Sequence, residues 1–349
     1  MAEIDALFRK MIGKGGSDLH LEEGRKPKVR VNGELEELEG SPALERDGME
    51  RLLGEIAGRE RWEKFSASGD LDFAYAMGDD ARFRANYLRQ FTGYGAVFRV
   101  IPSRVLSLED LDAPEVFRDF GDLQSGLVVV TGPTGSGKST TLAAIIDHIN
   151  SNQKKKIVTI EEPVEFVHQG KQSVIIHREV GQDTESFAAG LRGALKSDAN
   201  IVLVGELRDR ETIELALTAA EMGIMVFGTL HTNSAAKTID RIIDVFPAKQ
   251  KNQIRSLLAN CLRGVVAQQL VKSADGKRRW AAHEILLHCS ALPGIIRAGE
   301  TIKLGSVMQT NRQAGMISLD DCLLDMVKAG KITMDAAYLK ALDKTRFRA

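Results

Sequence analysis

LVVVTGPTGSGKSTT, residues 127–141, decides how this 349-residue chain is read. An apolar run, 127–130, leads straight into a loop with glycines at 132, 135 and 137, and Lys138 stands where a helical pattern, TTLAAIIDHINS, begins. The stretch Gly132-Pro-Thr-Gly-Ser-Gly137-Lys138-Ser139 fits G-x-x-x-x-G-K-[ST] in full. The glycines let backbone N–H groups turn inward around a β-phosphate, and the following helix offers its N-terminus to the anion. Lys138 is placed to reach the β/γ oxygens and Ser139 to ligate Mg²⁺. The bare pattern occurs by chance, but here an apolar strand precedes it and a helix follows, as the mechanism requires. A nucleotide site is expected over Gly132, Pro133, Thr134, Gly135, Ser136, Gly137, Lys138, Ser139 and Thr140.

Outward from the loop, KIVTIEE, NIVLVGE and IMVFGTLHT are further short strands, with helical patterns such as ETIELALTAAEM between them. Strands apolar on both faces and joined by helices imply a parallel sheet buried on both sides. Ligands gather at strand C-termini in such sheets. Glu206 ends one strand and is the expected carboxylate near Mg²⁺ and the attacking water. A second acidic strand end, TIEEPVEF, carries Glu161, Glu162 and Glu165, one of which is expected to orient water or metal. A third, FGTLHTN, groups Thr229, His231, Thr232 and Asn233, which suits a sensor of the γ-phosphate. Catalysis of this kind is positioning plus electrostatics. From about Gln250 the pattern reads as largely helical.

The first hundred residues read as mixed α and β. PKVRVNGELEEL places Asn32-Gly33 between two extended runs, a hairpin signal. DLDFAYAM, ARFRANYLR and AVFRVIP alternate with period two between turn residues, which predicts an antiparallel meander. Arg82 and Arg84 then share one strand face, opposite Phe83, Ala85 and Tyr87. IPSRVLSLEDLDAPEVF looks like a linker, so the expected domains are 1–101 and 114–349, joined by 102–113.

Lys plus Arg (47) nearly balances Asp plus Glu (48), and aromatics are only 5%. A nucleic-acid translocase needs a basic pore or stacking aromatics, so that class is disfavoured. No signal peptide and no membrane-spanning run is seen, and no direct membrane insertion is expected. Cys261, Cys289 and Cys322 have neither disulfide nor metal-site spacing and read as buried thiols in a reducing, cytoplasmic setting.

With TGPTGSGKSTTLA, TIEEPVEF, NIVLVGELRD and FGTLHTNSAAKTIDRIIDVFP in this order, the chain resembles the secretion ATPases of type II secretion and type IV pili. Within them it is most similar to the motors of pilus retraction, and SDLHLEEGRKPKVRVNGEL resembles that family's opening. The resemblance implies an α/β chain with an N-terminal PAS-like α+β domain, a RecA-like P-loop ATPase domain and a homohexameric ring. It implies ATP and Mg²⁺ as ligands, Lys138 and Ser139 in Walker A, Glu206 in Walker B, Glu161 and Glu165 in the acidic box, and His231 in the histidine box. It also implies that Arg82, Arg84 and Arg99 reach the nucleotide; an arginine of this kind is worth ~10³–10⁵ in rate in GTPases. The expected partner is the platform protein of the pilus machinery, met at the cytoplasmic face of the inner membrane.

Three departures stand out. Glu162 replaces the usual Asp of the acidic box, and Ile224 stands where an earlier histidine is usual. The retraction motif AIRNLIRE is matched by ALPGIIRA, 291–298, with Pro293 and Gly294 inside it, and both residues weaken a helix interior. Extension and secretion ATPases of the family carry a long extra N-terminal domain and a four-cysteine zinc motif. Neither is seen in this sequence, so retraction is the leading expectation, ahead of extension or secretion and of a regulatory paralogue.

Overall fold

A computed structural model describes residues 2–31, 33–78, 80–101 and 104–348. The chain is a mixed α/β protein of two compact units, one comprising Met1–Arg104 and Glu162–Val167, the other Val105–Glu161 and His168–Ala349. Pro102 and Ser103 of the expected linker lie outside the described residues. From Val105 on the chain packs with the second unit, where Leu108 is buried.

The first unit runs α1 (Asp5–Gly13), β1 (Asp18–Glu22), β2 (Lys28–Val31), β3 (Glu34–Glu37), α2 (Arg46–Ser68), β4 (Asp70–Met77), β5 (Ala81–Gln90) and β6 (Gly93–Ile101). Its sheet has the order β3-β2-β1-β6-β5-β4 among the described residues. The hairpin forms as its turn chemistry predicts, with Val31 opposite Glu34 and Gly33 at φ 95°, while Asn32 lies outside the described residues. The meander β4-β5-β6 is antiparallel throughout, so Phe83, Ala85 and Tyr87 face the core and Arg84 and Asn86 face solvent. Phe8 of α1 stacks on Phe83 at 4.0 Å and meets Phe98 edge-on at 5.1 Å, which binds that helix to the sheet. Helix α2 breaks at Gly58, whose φ of 73° only glycine adopts freely.

The second unit runs α3 (Val116–Asp122), β7 (Gly126–Thr131), α4 (Lys138–Asn152), β8 (Lys156–Glu161), β9 (Val174–Glu179), α5 (Phe187–Leu195), β10 (Ile201–Val204), α6 (Arg210–Glu221), β11 (Met225–Leu230), α7 (Ala235–Asp244) and α8 (Ala248–Cys261). There follow β12 (Leu262–Lys272), β13 (Arg279–Leu287), α9 (Leu292–Ala298), α10 (Leu304–Thr310), α11 (Leu319–Lys328) and α12 (Met334–Lys340). The strands order β13-β12-β7-β11-β10-β8-β9, all parallel except the antiparallel pair β12–β13. Alternate residues feed two cores, Val129, Val158, Val202 and Val226 on one face, Val128, Ile157, Ile201 and Phe227 on the other. That is the doubly buried sheet that continuous apolar runs require.

Two expectations need correction. The region after Gln250 is not largely helical, because β12 and β13 extend the sheet beyond β7. LRGVVAQQLVK has an interior that is almost wholly buried, and its polar pair Gln268-Gln269 masks the strand pattern. In ALPGIIRA the proline and glycine do not disrupt a helix interior. Pro293 sits in the first turn of α9, where a missing N–H costs nothing, and Leu292, Ile295 and Ile296 are buried in the core.

Candidate functional site: a phosphate cradle at the strand ends

β7 is buried along its whole length and delivers the chain to Gly132, whose φ is 145°. A Cβ there would lie 2.2 Å from the Gln268 carbonyl oxygen and 2.7 Å from Ser136 Oγ, so only glycine fits. Gly137, at φ 87°, opens α4 without any side-chain cap, leaving the first-turn N–H groups to whatever enters the loop. Lys138 is buried, and its Nζ donates to the carbonyls of Gly132 (2.9 Å) and Pro133 (3.2 Å), which folds the ammonium over the loop. Ser136 Oγ is buried with no hydrogen-bond partner among the described residues. Pro133, Thr134 and Gly135 form the exposed rim, while Ser139 and Thr140 are half-buried on the first turn of α4. A buried cation, uncapped N–H groups and an orphaned hydroxyl on one concave loop are complementary to a polyphosphate chain.

The polar strand ends collect beside this loop. Thr131, the last residue of β7, donates its hydroxyl to the Thr232 carbonyl at 2.8 Å, and Thr232 Oγ1 lies 2.7 Å from Thr238 Oγ1. A cavity of about 470 Å³ lies between Pro133 and the stretch His231, Thr232, Asn233. His231 Nε2 stands 3.4 Å from Glu206 Oε1, and Arg208 Nε approaches Glu206 Oε2 at 3.8 Å. Gly205 N–H donates to the Ile160 carbonyl at 2.8 Å, and Thr229 gives its hydroxyl to the Gly205 carbonyl. A Cβ at Gly205 would lie 3.3 Å from Glu161 Cα, so Glu161, the last residue of β8, and Glu206, two residues beyond the end of the neighbouring β10, leave the sheet side by side. Among the described residues no group of three or more His, Cys, Asp or Glu is placed to hold a metal.

Glu162 and Glu165 belong with Arg82, Arg84 and Arg99 to the first unit. The predicted arginine face is present there as a charge ladder across the sheet. Arg84 lies opposite Arg99, and Arg99 opposite Asp18. Arg84 Nε donates to Asp72 at 3.2 Å, and Arg99 Nε to Asp18 at 2.8 Å. The Asp72 hydrogen bond raises the Arg84 pKa above its ordinary value, against burial, with Glu165 and Glu162 adding to it. Burial opposes ionisation of Asp18, yet bonds from Ser17 and Arg99 hold its carboxyl below the usual range. Arg82 Nη1 is buried with no hydrogen-bond partner among the described residues.

Two residues beside the site were missed. Gln268 of β12 is 2% exposed; it donates to the Ser136 carbonyl (2.7 Å) and accepts from the Thr141 hydroxyl (2.8 Å). Glu284 of β13, also buried, accepts the Ala235 N–H at 2.7 Å, fixing the start of α7 just beyond His231. Burial pushes the Glu284 carboxyl up, against that bond. The one available signal was a pair of amide side chains inside an apolar run. Of the cysteines only Cys261 is fully buried, its thiol pushed up to about 12 by burial; Cys289 and Cys322 are half-buried, and all are free.

The family model described as type II/IV secretion system protein matches residues 1–315. The chain is 47% identical to the "Type IV pilus retractation ATPase PilT" of Pseudomonas aeruginosa, over 97% of this chain and 98% of that one. It is 46% identical to a twitching motility protein of Neisseria gonorrhoeae, over 90% and 84% of the two chains. A crystal structure of the pilus retraction motor PilT with bound ADP superposes with a TM-score of 0.91 at 36% identity, over 99% of this chain and 98% of that one. With the phosphate cradle and the strand-end carboxylates in place, the chain belongs to the type II/IV secretion system protein family.

Proposed function

We propose that this chain is the ATP-hydrolysing motor that retracts type IV pili, working as a homohexameric ring. Residues 1–101 form its PAS-like domain, 102–113 its linker and 114–349 its RecA-like domain. The observation that carries this reading is likeness across the whole length: 47% identity spans 97% of this chain and 98% of a relative named for pilus retraction.

The residues divide the chemistry among them. Lys138 and the N-terminus of α4 neutralise the β- and γ-phosphates, supported by the buried ammonium and the uncapped first turn. Gly132, Pro133, Thr134, Gly135, Ser136, Gly137 and Thr140 shape the cradle around them. Ser139 and Glu206 would hold Mg²⁺, a hydroxyl and a carboxylate being the oxygen donors that suit this ion, and bound there it would supply charge neutralisation on the phosphates. Glu206 orients the attacking water, with Glu161 on the neighbouring strand end and Glu165 as further acidic groups. His231, 3.4 Å from Glu206, reports the γ-phosphate to that carboxylate. Arg82, Arg84 and Arg99 complete the site of a neighbouring subunit. The ring works at the cytoplasmic face of the inner membrane against the pilus platform protein, with no nucleic acid. No helix among the described residues is long and apolar enough to cross a membrane.

The test is a deletion strain. It is expected to carry excess surface pili and to lose twitching, and wild type restores both while Lys138→Ala does not. Purified Glu206→Gln is expected to bind ATP yet turn it over about a hundredfold more slowly or worse. Bald cells in the deletion strain would instead assign the chain to pilus extension.

A further inference from the structure

We propose that Gln268 is the positioning residue that sets the phosphate loop, turning the Gly137 N–H inward by holding the Ser136 carbonyl outward. This rests on the nucleotide reading of the loop.

Gln268 follows Ala267, which pairs with Thr131 where β12 runs beside β7, so its side chain arrives next to the loop. At 2% exposure a primary amide is costly to bury unless both its ends are bonded. Both are, and both partners belong to the loop and its helix. Nε2 donates to the Ser136 carbonyl at 2.7 Å, and Oε1 accepts from Thr141 Oγ1 at 2.8 Å. These anchors straddle 137–140, which carry the uncapped N–H groups and the lysine.

The consequence follows from peptide geometry. In a planar trans peptide the C=O and N–H point in opposite directions. Fixing the Ser136 carbonyl on Gln268 therefore aims the Gly137 N–H away from β12. Thr141 is freed from the usual helical alternative, in which a threonine hydroxyl bonds a carbonyl one turn back, and its own N–H keeps the regular bond to Gly137 O at 3.0 Å. Backbone and side chain act together: the Gln268 carbonyl oxygen occupies the space of a Gly132 Cβ, at 2.2 Å, and its Nε2 lies 2.9 Å from that of Gly137. Ser136 Oγ and Lys138 are thus presented by a loop templated from outside itself.

The experiment compares wild type, Gln268→Met and Thr141→Val in ADP binding by calorimetry and in hydrogen exchange of 133–141 without nucleotide. Methionine keeps length and burial but removes both bonds; valine removes one. The expected result is an ADP Kd raised about tenfold or more in Gln268→Met and less in Thr141→Val. Faster exchange is expected in 133–141, with β10 and β11 unchanged. The double variant is expected to be no worse than Gln268→Met, since both changes break one linkage. An ADP Kd within about twofold of wild type in both single variants, or loop exchange no faster than wild type, overturns the proposal. Wild type failing to bind ADP overturns the nucleotide reading instead, and the nucleotide-free exchange still judges Gln268. Should Gln268→Met not fold, Thr141→Val decides alone on the same measurements.

Discussion

Acidification tests two buried histidines of the second unit. His168 and His283 are 7% and 5% exposed, and burial depresses the pKa of each from 6.5 to about 4. His168 stacks on His177, adding to the depression, while Asp147 at 3.9 Å opposes it and Lys171 reinforces it. The backbone N–H of His168 donates to His177 Nε2 at 3.1 Å. That assigns the His177 proton to Nδ1, which faces Thr159 Oγ1 at 2.8 Å. A histidine held neutral in the fold binds its proton more readily when unfolded. Stability is therefore full above pH 6.5 and falls as pH drops toward about 4. Between pH 7 and 5 each histidine removes about 2 kcal/mol. Glu284 acts in the opposite sense, because its raised carboxyl is relieved as it protonates. Asp209 and Asp321, held below the ordinary carboxylate range, lose their contribution only at lower pH. The difference between wild type and His168→Gln isolates one site. Urea unfolding of each at pH 7, 6 and 5 is expected to show a pH dependence shallower by about 2 kcal/mol in the variant. Parallel curves would refute the assignment of His168 as a buried neutral group.

Gly132→Ala places a methyl 2.2 Å from the Gln268 carbonyl in a backbone region that alanine resists, so about 1–3 kcal/mol of strain falls on the loop; calorimetry is expected to show ADP binding weakened about tenfold or more. Ile296→Ala, at a fully buried position of α9, is expected to lower stability by about 2–5 kcal/mol in denaturant melts. Arg297→Ala removes only an exposed bond to Asn260 and is expected to keep ATP turnover while cells lose retraction; normal retraction would leave α9 a purely structural helix. Rings of Arg84→Ala or Lys138→Ala alone are expected to be inactive and mixed rings partly active; mixtures that stay dead despite proven subunit exchange would sink the shared-site proposal.

Much of the fold was legible because its signals are local. The hairpin around Gly33, the meander of β4 to β6 and the apolar strands β7, β8, β10 and β11 each depend on residues within one segment. What escaped depends on distant pairing. β9 has Val174 and Ile176 exposed at the sheet edge, so SVIIHRE lacks the pattern of its buried neighbours. β12 follows α8 directly and is buried beside β7, a strand far earlier in the chain. Pro293 misled for a similar reason, since its effect depends on whether the helix begins before or after it, and α9 begins at Leu292.

The site divides along the same line. Walker-type loops are legible because the phosphate is recognised by backbone, and backbone conformation is written locally in glycines: Gly132, Gly135 and Gly137 all take the positive φ that other residues resist. The groups that hold such a loop from outside carry no pattern of their own. Gln268 reaches Ser136 and Thr141 across more than a hundred residues of sequence, and Glu284 reaches Ala235 from an edge strand. Each is a polar residue that an apolar strand tolerates only because a distant backbone group or hydroxyl satisfies it. A buried polar side chain inside an apolar run is therefore the sequence trace of a long-range support. In this chain both supports lie on β12 and β13, the two strands read as helix. Strand and support are hidden together, because the same amides and carboxylate that bind the site together interrupt the hydrophobic pattern by which a strand is recognised.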